Sequence, residues 1–125
     1  MPRDAVTSDT PSALALPFST AVRGAGLLFF SGQVATDPAT GELIEGDIGQ
    51  QTDQVLRNLT AALAAVGKDL GDVIRVGVYL TDMSQFGAIN DVYVRYFTEP
   101  YPARTAIGVA ALPLGAAVEM DAVVG

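Results

Sequence analysis

The order of two kinds of apolar periodicity restricts the fold of this chain more than any other feature. Two segments have the 3.6-residue period of amphipathic helices, residues 48–66 and 84–97. In the first, Val55, Leu59 and Leu63 form one apolar stripe. Strand-like segments surround them, at residues 19–23, 27–31, 73–80, 104–109 and 117–124. The predicted order is therefore β-β-α-β-α-β-β.

This order predicts an α+β fold in which both helices lie on one face of a single sheet. Strands outnumber helices, and each helix has a single apolar stripe to bury. A length of 125 residues suits one domain with one core. Residues 1–15 are rich in Pro, Ser, Thr and Asp, and we expect a flexible N-terminal arm there, with the domain spanning residues 16–125.

Two helices leave the other face of the sheet uncovered. If the strands alternate regularly, that face carries apolar and charged residues together, which is typical of an oligomer surface. A solvated sheet face is the alternative. The residues predicted there are Val73, Arg75, Tyr79, Glu119, Asp121 and Val123.

The composition excludes several classes of chemistry. The chain has no histidine and no cysteine, which excludes Ser-His-Asp triads, thiol nucleophiles, disulfides and zinc sites built from these residues. A net charge of −7 argues against a nucleic-acid partner. Lys68, the one lysine, lies in a helix-ending turn where we expect solvation rather than imine chemistry. No apolar run resembles a membrane span or a signal core, so we expect a soluble cytoplasmic protein with no membrane partner.

Arg104 and Glu119 are the residues most suited to chemistry. A guanidinium can hold a carboxylate with two hydrogen bonds, and a glutamate can orient or deprotonate a water molecule. Their strands could be neighbours, which would place the two side chains close together directly or across a subunit boundary. An ordinary cross-strand ion pair is the alternative. Asp121 lies two residues after Glu119, and we expect it to be solvated or ion-paired rather than a metal ligand.

Six short segments together resemble the RidA/YjgF/UK114 family. In chain order they are FSGQ at 30–33, DPATG at 37–41, LTDMSQF at 80–86, NDVY at 90–93, PARTA at 102–106 and ALPLGAAVEM at 111–120. Each segment alone is moderately specific to this family. The order and spacing of all six together are a strong match. The resemblance extends from about residue 16 to residue 124, nearly the whole chain.

The resemblance implies a fold, an assembly and a reaction. The fold would be chorismate-mutase-like, assembled as a homotrimer around a β-barrel-like core with ligand clefts between subunits. The reaction would be hydrolysis of 2-imino acids, such as 2-iminobutanoate and 2-iminopropanoate, to 2-keto acids and ammonia. No metal or organic cofactor is implied, and the partners would be a small 2-imino or 2-keto acid and further copies of the chain.

The resemblance also implies roles for particular residues. Arg104 would clamp the substrate carboxylate, and Glu119 would position the attacking water. Further substrate contacts are implied for Ser31, Gly32, Asn90 and Ala106, those near Gly32 and Ala106 through backbone groups.

Two positions depart from the family pattern. Phe18 replaces the usual tyrosine in the substrate cleft, and Ala106 replaces a frequent cysteine. A pocket made more apolar by Phe18 could favour a bulkier imine. The alternatives are a non-catalytic protein that binds a carboxylated metabolite, and a pathway-specific hydrolase or cyclase on the same scaffold. RNA cleavage is disfavoured by the acidic charge and by the absence of histidine.

Overall fold

A computed structural model describes residues 3–6 and 16–125 of the chain. In this part of the chain, six strands form one mixed sheet in the order β1-β2-β3-β6-β4-β5, and all neighbours are antiparallel except β4 and β5. The strands are β1 (Asp4–Val6), β2 (Ala21–Gly24), β3 (Leu27–Gln33), β4 (Val73–Leu80), β5 (Ala103–Gly108) and β6 (Val118–Val124). The helices are α1 (Ile48–Ala64) and α2 (Phe86–Tyr96). The predicted α+β architecture is confirmed.

One layer of core lies between the sheet and the two helices. Alternate residues of the central strands point into it, because side chains of a strand alternate between faces. The helices contribute the apolar stripes predicted from their spacing. Residues with less than 2% exposure include Val76, Val78, Leu80, Val118, Met120 and Val124 from the sheet and Val55, Leu56, Leu59, Leu63 and Ile89 from the helices.

The start of α1 is defined by a capping box. The Asp47 carboxylate accepts a hydrogen bond from the Gln50 backbone N–H at 2.9 Å, and the Gln50 side chain accepts one from the Asp47 backbone N–H. These bonds satisfy donors that a helix N-terminus otherwise leaves free. Gly67, with a φ of +74°, follows the helix end as predicted. Among the described residues, no helix combines the length and apolar character needed to cross a bilayer.

A β-bulge reverses the predicted facing of two residues. The register between β4 and β6 shifts between Val73 and Arg75. As a result Val73, expected on the open face, is 7% exposed in the core, while Ile74, expected in the core, is 49% exposed. An extra residue in one strand inverts the alternation on one side of the bulge. The remaining open-face residues of β4 lie where the alternation predicted them.

The N-terminal part of the sheet differs from expectation in two details. Asp4–Val6 pairs antiparallel with β2, so these residues of the expected flexible arm form an edge strand. Residues 7–15, also assigned to the arm, lie outside the described residues. The glycine pair Gly24 and Gly26 between two strand-like segments predicts a hairpin whose turn uses the positive φ of glycine, whereas in the β2–β3 hairpin the positive φ angles belong to Ala25 and Gly26. A two-residue turn with both φ angles positive matches the twist of the hairpin strands.

Gln51 connects α1 to the segment that leads into β6. Its side chain is 7% exposed, and its Oε1 accepts a hydrogen bond from the Ala117 backbone N–H at 2.9 Å. The Ala117 carbonyl in turn accepts from the Thr81 N–H at 3.2 Å. A buried amide therefore fixes the chain just before Glu119.

We predict that Gln51→Leu lowers the free energy of unfolding by about 1–3 kcal/mol, because the Ala117 N–H loses its buried partner. Urea unfolding followed by circular dichroism measures the change. Gln54→Leu is the control, because Gln54 bonds only the Asn58 side chain on the same half-buried helix surface; we expect a loss of about 0.5 kcal/mol or less. Equal losses in the two variants would show that the Gln51 bond contributes nothing specific.

Candidate functional site

Arg104 is held in a fixed orientation on the helix side of the sheet. It lies on β5 opposite Val76, a core-facing residue, and so points toward α2. Its Nη1 donates a hydrogen bond to Asn90 Oδ1 at 2.8 Å. Its Cζ lies 4.7 Å from the centre of the Tyr93 ring and 5.2 Å from that of Phe86. Two ring faces and an amide oxygen therefore restrain the guanidinium.

All three restraining groups on Arg104 are neutral. In the described part of the chain, the two ion pairs are Arg57–Asp53 and Arg75–Asp121, and neither involves Arg104. Asn90 uses one N–H of a guanidinium that has five, so donors remain for another partner. The result is an oriented cation whose charge is not cancelled by any carboxylate of residues 3–6 and 16–125. Such a group is suited to binding an anion.

An open pocket of about 230 Å³ adjoins Arg104. Its wall comes from the second half of α2 and from the start of β5 with the segment before it. Arg104 contributes the one charge among these lining residues. The lining consists of Asn90, Tyr93, Val94, Tyr101, Pro102 and Arg104.

Tyr93 also has a buried hydroxyl with no hydrogen-bond partner in the described structure. Burial raises the pKa of this hydroxyl, and the nearby Arg104 charge partly opposes that effect. The ring packs against Phe97 with centres 4.5 Å apart. The contribution of Tyr93 to the site is therefore its ring face, which supports the guanidinium.

Glu119 lies on the opposite, open face of the sheet. Its register partner on β4 is Tyr79, an open-face residue. The carboxylate lies directly against Gly32: a Cβ at that position would be 2.5 Å from Glu119 Oε2. Burial raises the pKa of Glu119, and the neighbouring Asp121 carboxylate raises it further. Gly32 therefore leaves the space that the Glu119 carboxylate occupies.

Asp121 is engaged in a network of its own. Its carboxylate accepts hydrogen bonds from the Gly77 backbone N–H at 3.0 Å and from the Tyr79 hydroxyl at 2.8 Å. Arg75 Nη1 lies 3.8 Å from Asp121 Oδ1. The expectation that Asp121 is paired rather than metal-binding agrees with these contacts. Within residues 3–6 and 16–125, no cluster of three or more Asp or Glu side chains could hold a metal ion.

The two predicted catalytic residues do not meet within one chain. The expectation that their strands are neighbours is wrong, because β4 lies between β5 and β6. Arg104 pairs with Val76 on the helix side, and Glu119 pairs with Tyr79 on the open side. The sheet therefore separates the two side chains. The direct arrangement and the cross-strand ion pair are therefore both excluded within a subunit.

Some of the other predicted site residues lie near Arg104 and others near Glu119. Asn90 contacts Arg104, and Gly32 contacts Glu119. The Ser31 hydroxyl donates to the Ser19 carbonyl at 2.7 Å and so fixes the segment next to Phe18, whose side chain is 61% exposed. Ala106 packs against the core from β5, an edge strand whose outer backbone groups the sheet leaves unpaired. None of Phe18, Ser31, Gly32 and Ala106 lines the Arg104 pocket.

Two contacts of Arg104 were not predicted from the sequence. The apolar spacing of the second helix predicts Phe86 and Tyr93 on its buried face, and in the structure their rings also support Arg104. Their spacing with Asn90 is four and three residues, which places all three on one helix face. The signal available in the sequence was this spacing. It places an amide between two aromatic side chains on one helix face, opposite a strand that carries an arginine.

Comparisons with known proteins agree with the fold described above. A family model described as Endoribonuclease L-PSP matches residues 7–125. A RutC family protein of Pyrococcus horikoshii is 45% identical over 117 residues, covering 94% of this chain and 92% of its own. The 2-iminobutanoate/2-iminopropanoate deaminase of Mus musculus is 41% identical over 117 residues, covering 94% of this chain and 86% of its own. The crystal structure of RidA from a Psychrobacter species superposes with a TM-score of 0.89 at 40% identity, covering 97% of this chain and 98% of that chain.

The raised pKa of Glu119 gives a prediction for stability. Because folding disfavours the ionised carboxylate, its ionisation weakens the folded state as the pH rises above the ordinary glutamate value of 4.5. We expect Glu119→Gln to be more stable than the parent chain at about pH 7.5, with the difference shrinking toward about pH 4. Urea unfolding at both pH values measures it. Glu45→Gln, in the exposed loop before α1, is the control, and an equal pH dependence in both variants would contradict the prediction.

Proposed function

Since the chain belongs to the Endoribonuclease L-PSP family, with RidA proteins among its relatives, we propose that it hydrolyses 2-imino acids to 2-keto acids and ammonia. The observation that carries this proposal is Arg104, an oriented guanidinium that lies beside an open pocket and forms no ion pair with the part of the chain that the structure describes. The substrate class is that of 2-iminobutanoate and 2-iminopropanoate. The proposed enzyme acts in the cytoplasm, without metal or cofactor, on small molecules rather than nucleic acid.

The proposed active site lies between subunits of a homotrimer. Arg104 and Asn90 of one subunit would face Glu119 and Gly32 of a neighbour. The separation of Arg104 from Glu119 by the sheet supports this, because a single chain cannot bring both to one substrate. The open sheet face supports assembly as well: Phe29 and Ile107 are 41% and 46% exposed there, beside the half-buried Glu119 and Asp121.

In the proposed mechanism, Arg104 holds the substrate carboxylate with two N–H groups and thereby fixes the imino carbon. Glu119 accepts a proton from a water molecule as the water oxygen bonds to that carbon, and the C=N electron pair takes up a proton at nitrogen. The resulting carbinolamine transfers its hydroxyl proton to the amino nitrogen, the C–N bond breaks as C=O forms, and the nitrogen leaves as ammonia. An imine is already electrophilic, so orientation supplies most of the assistance needed.

A second candidate function is non-catalytic binding of a small carboxylate. The Arg104 pocket favours it, because that pocket is formed within one chain and does not contain Glu119. Calorimetry with 2-oxobutanoate, beside an assay of imine hydrolysis, separates the two functions. Saturable binding without turnover would indicate the binding protein.

We predict that Arg104→Gln lowers kcat/KM for imine hydrolysis by about 100-fold or more, because two charge-assisted hydrogen bonds to the carboxylate are lost. Arg104→Lys keeps the charge but loses the planar fork, and we expect a loss of about tenfold. The assay generates the imine with an amino-acid oxidase and measures how far the protein lowers semicarbazone formation with semicarbazide.

The matched control for Arg104 is Arg95→Gln, which removes a charge from the exposed last turn of α2. We expect its kcat/KM to stay within about twofold of the parent value. If Arg104→Gln also retained full activity, the assignment of Arg104 to the substrate carboxylate would be wrong.

Gly32 gives an independent test of Glu119. We predict that Gly32→Ala lowers imine hydrolysis by about tenfold or more, because the new methyl group occupies the space of the Glu119 carboxylate. Gly87→Ala is the control: a Cβ at Gly87 has no neighbour within 4 Å, and alanine suits a helix better than glycine. Similar activity in the two variants would indicate that the position of Glu119 does not matter for the reaction.

A further inference from the structure

The Arg104 pocket is charged at one end, whereas its walls are mainly apolar. Apart from Asn90 and Arg104, the lining consists of Tyr93, Val94, Tyr101 and Pro102. Val94 is 55% exposed and Tyr101 is 48% exposed, so both present apolar surface to the pocket and to solvent. Large apolar side chains left open beside a single cation are typical of a site for an amphiphilic ligand.

Two polar groups of the lining, the Asn90 amide oxygen and the Tyr93 hydroxyl, are occupied or buried. Asn90 Oδ1 accepts the hydrogen bond from Arg104 at 2.8 Å, and the Tyr93 hydroxyl is buried away from the surface. No second charged residue is present among the lining residues. Arg104 can pair with one carboxylate of a ligand. A second carboxylate or an ammonium group would have no free oppositely charged partner in the lining.

The volume of this open pocket suits a small ligand. Its volume of about 230 Å³ is smaller than the roughly 300–1,000 Å³ of sites for drug-sized molecules. A monocarboxylate with a branched aliphatic or a phenyl side chain is therefore compatible with the pocket. An acid with a one-carbon side chain would leave the apolar wall largely in water.

We infer that the pocket formed by Val94, Tyr101 and Pro102 beside Arg104 is a subsite for an apolar substrate side chain, so that the preferred substrates are 2-imino acids with branched aliphatic or aromatic side chains. This inference rests on the proposed function in one respect, the binding of a substrate carboxylate by Arg104. The carboxylate lies at the charged end, and the side chain extends along the apolar wall. Each methylene transferred from water to such a wall favours binding by about fourfold.

The test compares stable 2-oxo acids by calorimetry on the intact protein. The probes are 2-oxopropanoate, 4-methyl-2-oxopentanoate, 2-oxo-3-phenylpropanoate and the dicarboxylate 2-oxopentanedioate. We expect the isobutyl and benzyl acids to bind about tenfold or more tightly than 2-oxopropanoate, and the dicarboxylate to gain nothing. Equal affinities for all four probes, or tightest binding of the dicarboxylate, would overturn the inference.

Variants of the wall locate the preference. Val94→Ser and Tyr101→Ser should each weaken binding of the isobutyl and benzyl acids by about threefold or more relative to binding of 2-oxopropanoate. Ile74→Ser is the control, because Ile74 is also an exposed apolar residue, at 49%, but does not line the pocket. A preference that survives both wall substitutions would place the side-chain subsite elsewhere and overturn the assignment.

The same probes separate this inference from the proposed hydrolysis. If apolar 2-oxo acids bind tightly but no imine from alanine, leucine or phenylalanine is hydrolysed, the subsite stands and the hydrolase proposal fails. If imines are hydrolysed without regard to side chain, and Arg104→Gln abolishes this activity, the hydrolase proposal stands and the subsite fails. If no 2-oxo acid binds and no imine is hydrolysed, both fail.

Discussion

The pleat of the central sheet controls where every candidate functional group lies. Side chains of successive strand residues point to opposite faces, so a residue's register decides whether it meets the helices or the open face. Arg104 is in register with Val76 and faces α2, whereas Glu119 is in register with Tyr79 and faces away. Moving either residue by one position along its strand would place its side chain on the other face of the sheet. The division of the site into two halves therefore follows directly from strand pairing.

The electrostatics of the two halves are complementary. On the helix side, Arg104 is oriented by an amide oxygen and two aromatic rings, which restrain it without cancelling its charge. On the open side, Glu119 is partly buried beside Asp121, and both effects favour its protonated form. Within the described residues, neither Arg104 nor Glu119 forms an ion pair. This is why we assign them to opposite sides of one intersubunit cleft.

Much of the fold could be predicted from the residues, because each helix and most strands have a clear apolar period. The exceptions have local causes. The bulge after Val73 exchanged the faces of Val73 and Ile74, and a bulge leaves no mark in an otherwise regular alternation. The edge strand Asp4–Val6 has no apolar run of its own and is stabilised by pairing with β2.

The sequence by itself determined the order of both helices and of five of the six strands, the family, and the residue types available for chemistry, because periodicity, motif spacing and composition are properties of the chain alone. It also identified Arg104 and Glu119 as candidates. Only the tertiary structure decided that β4 separates their strands and that Phe86, Asn90 and Tyr93 surround the guanidinium. The physical reason is that strand order and helix placement arise from pairing and burial between segments distant in the chain, which no local pattern of residues records.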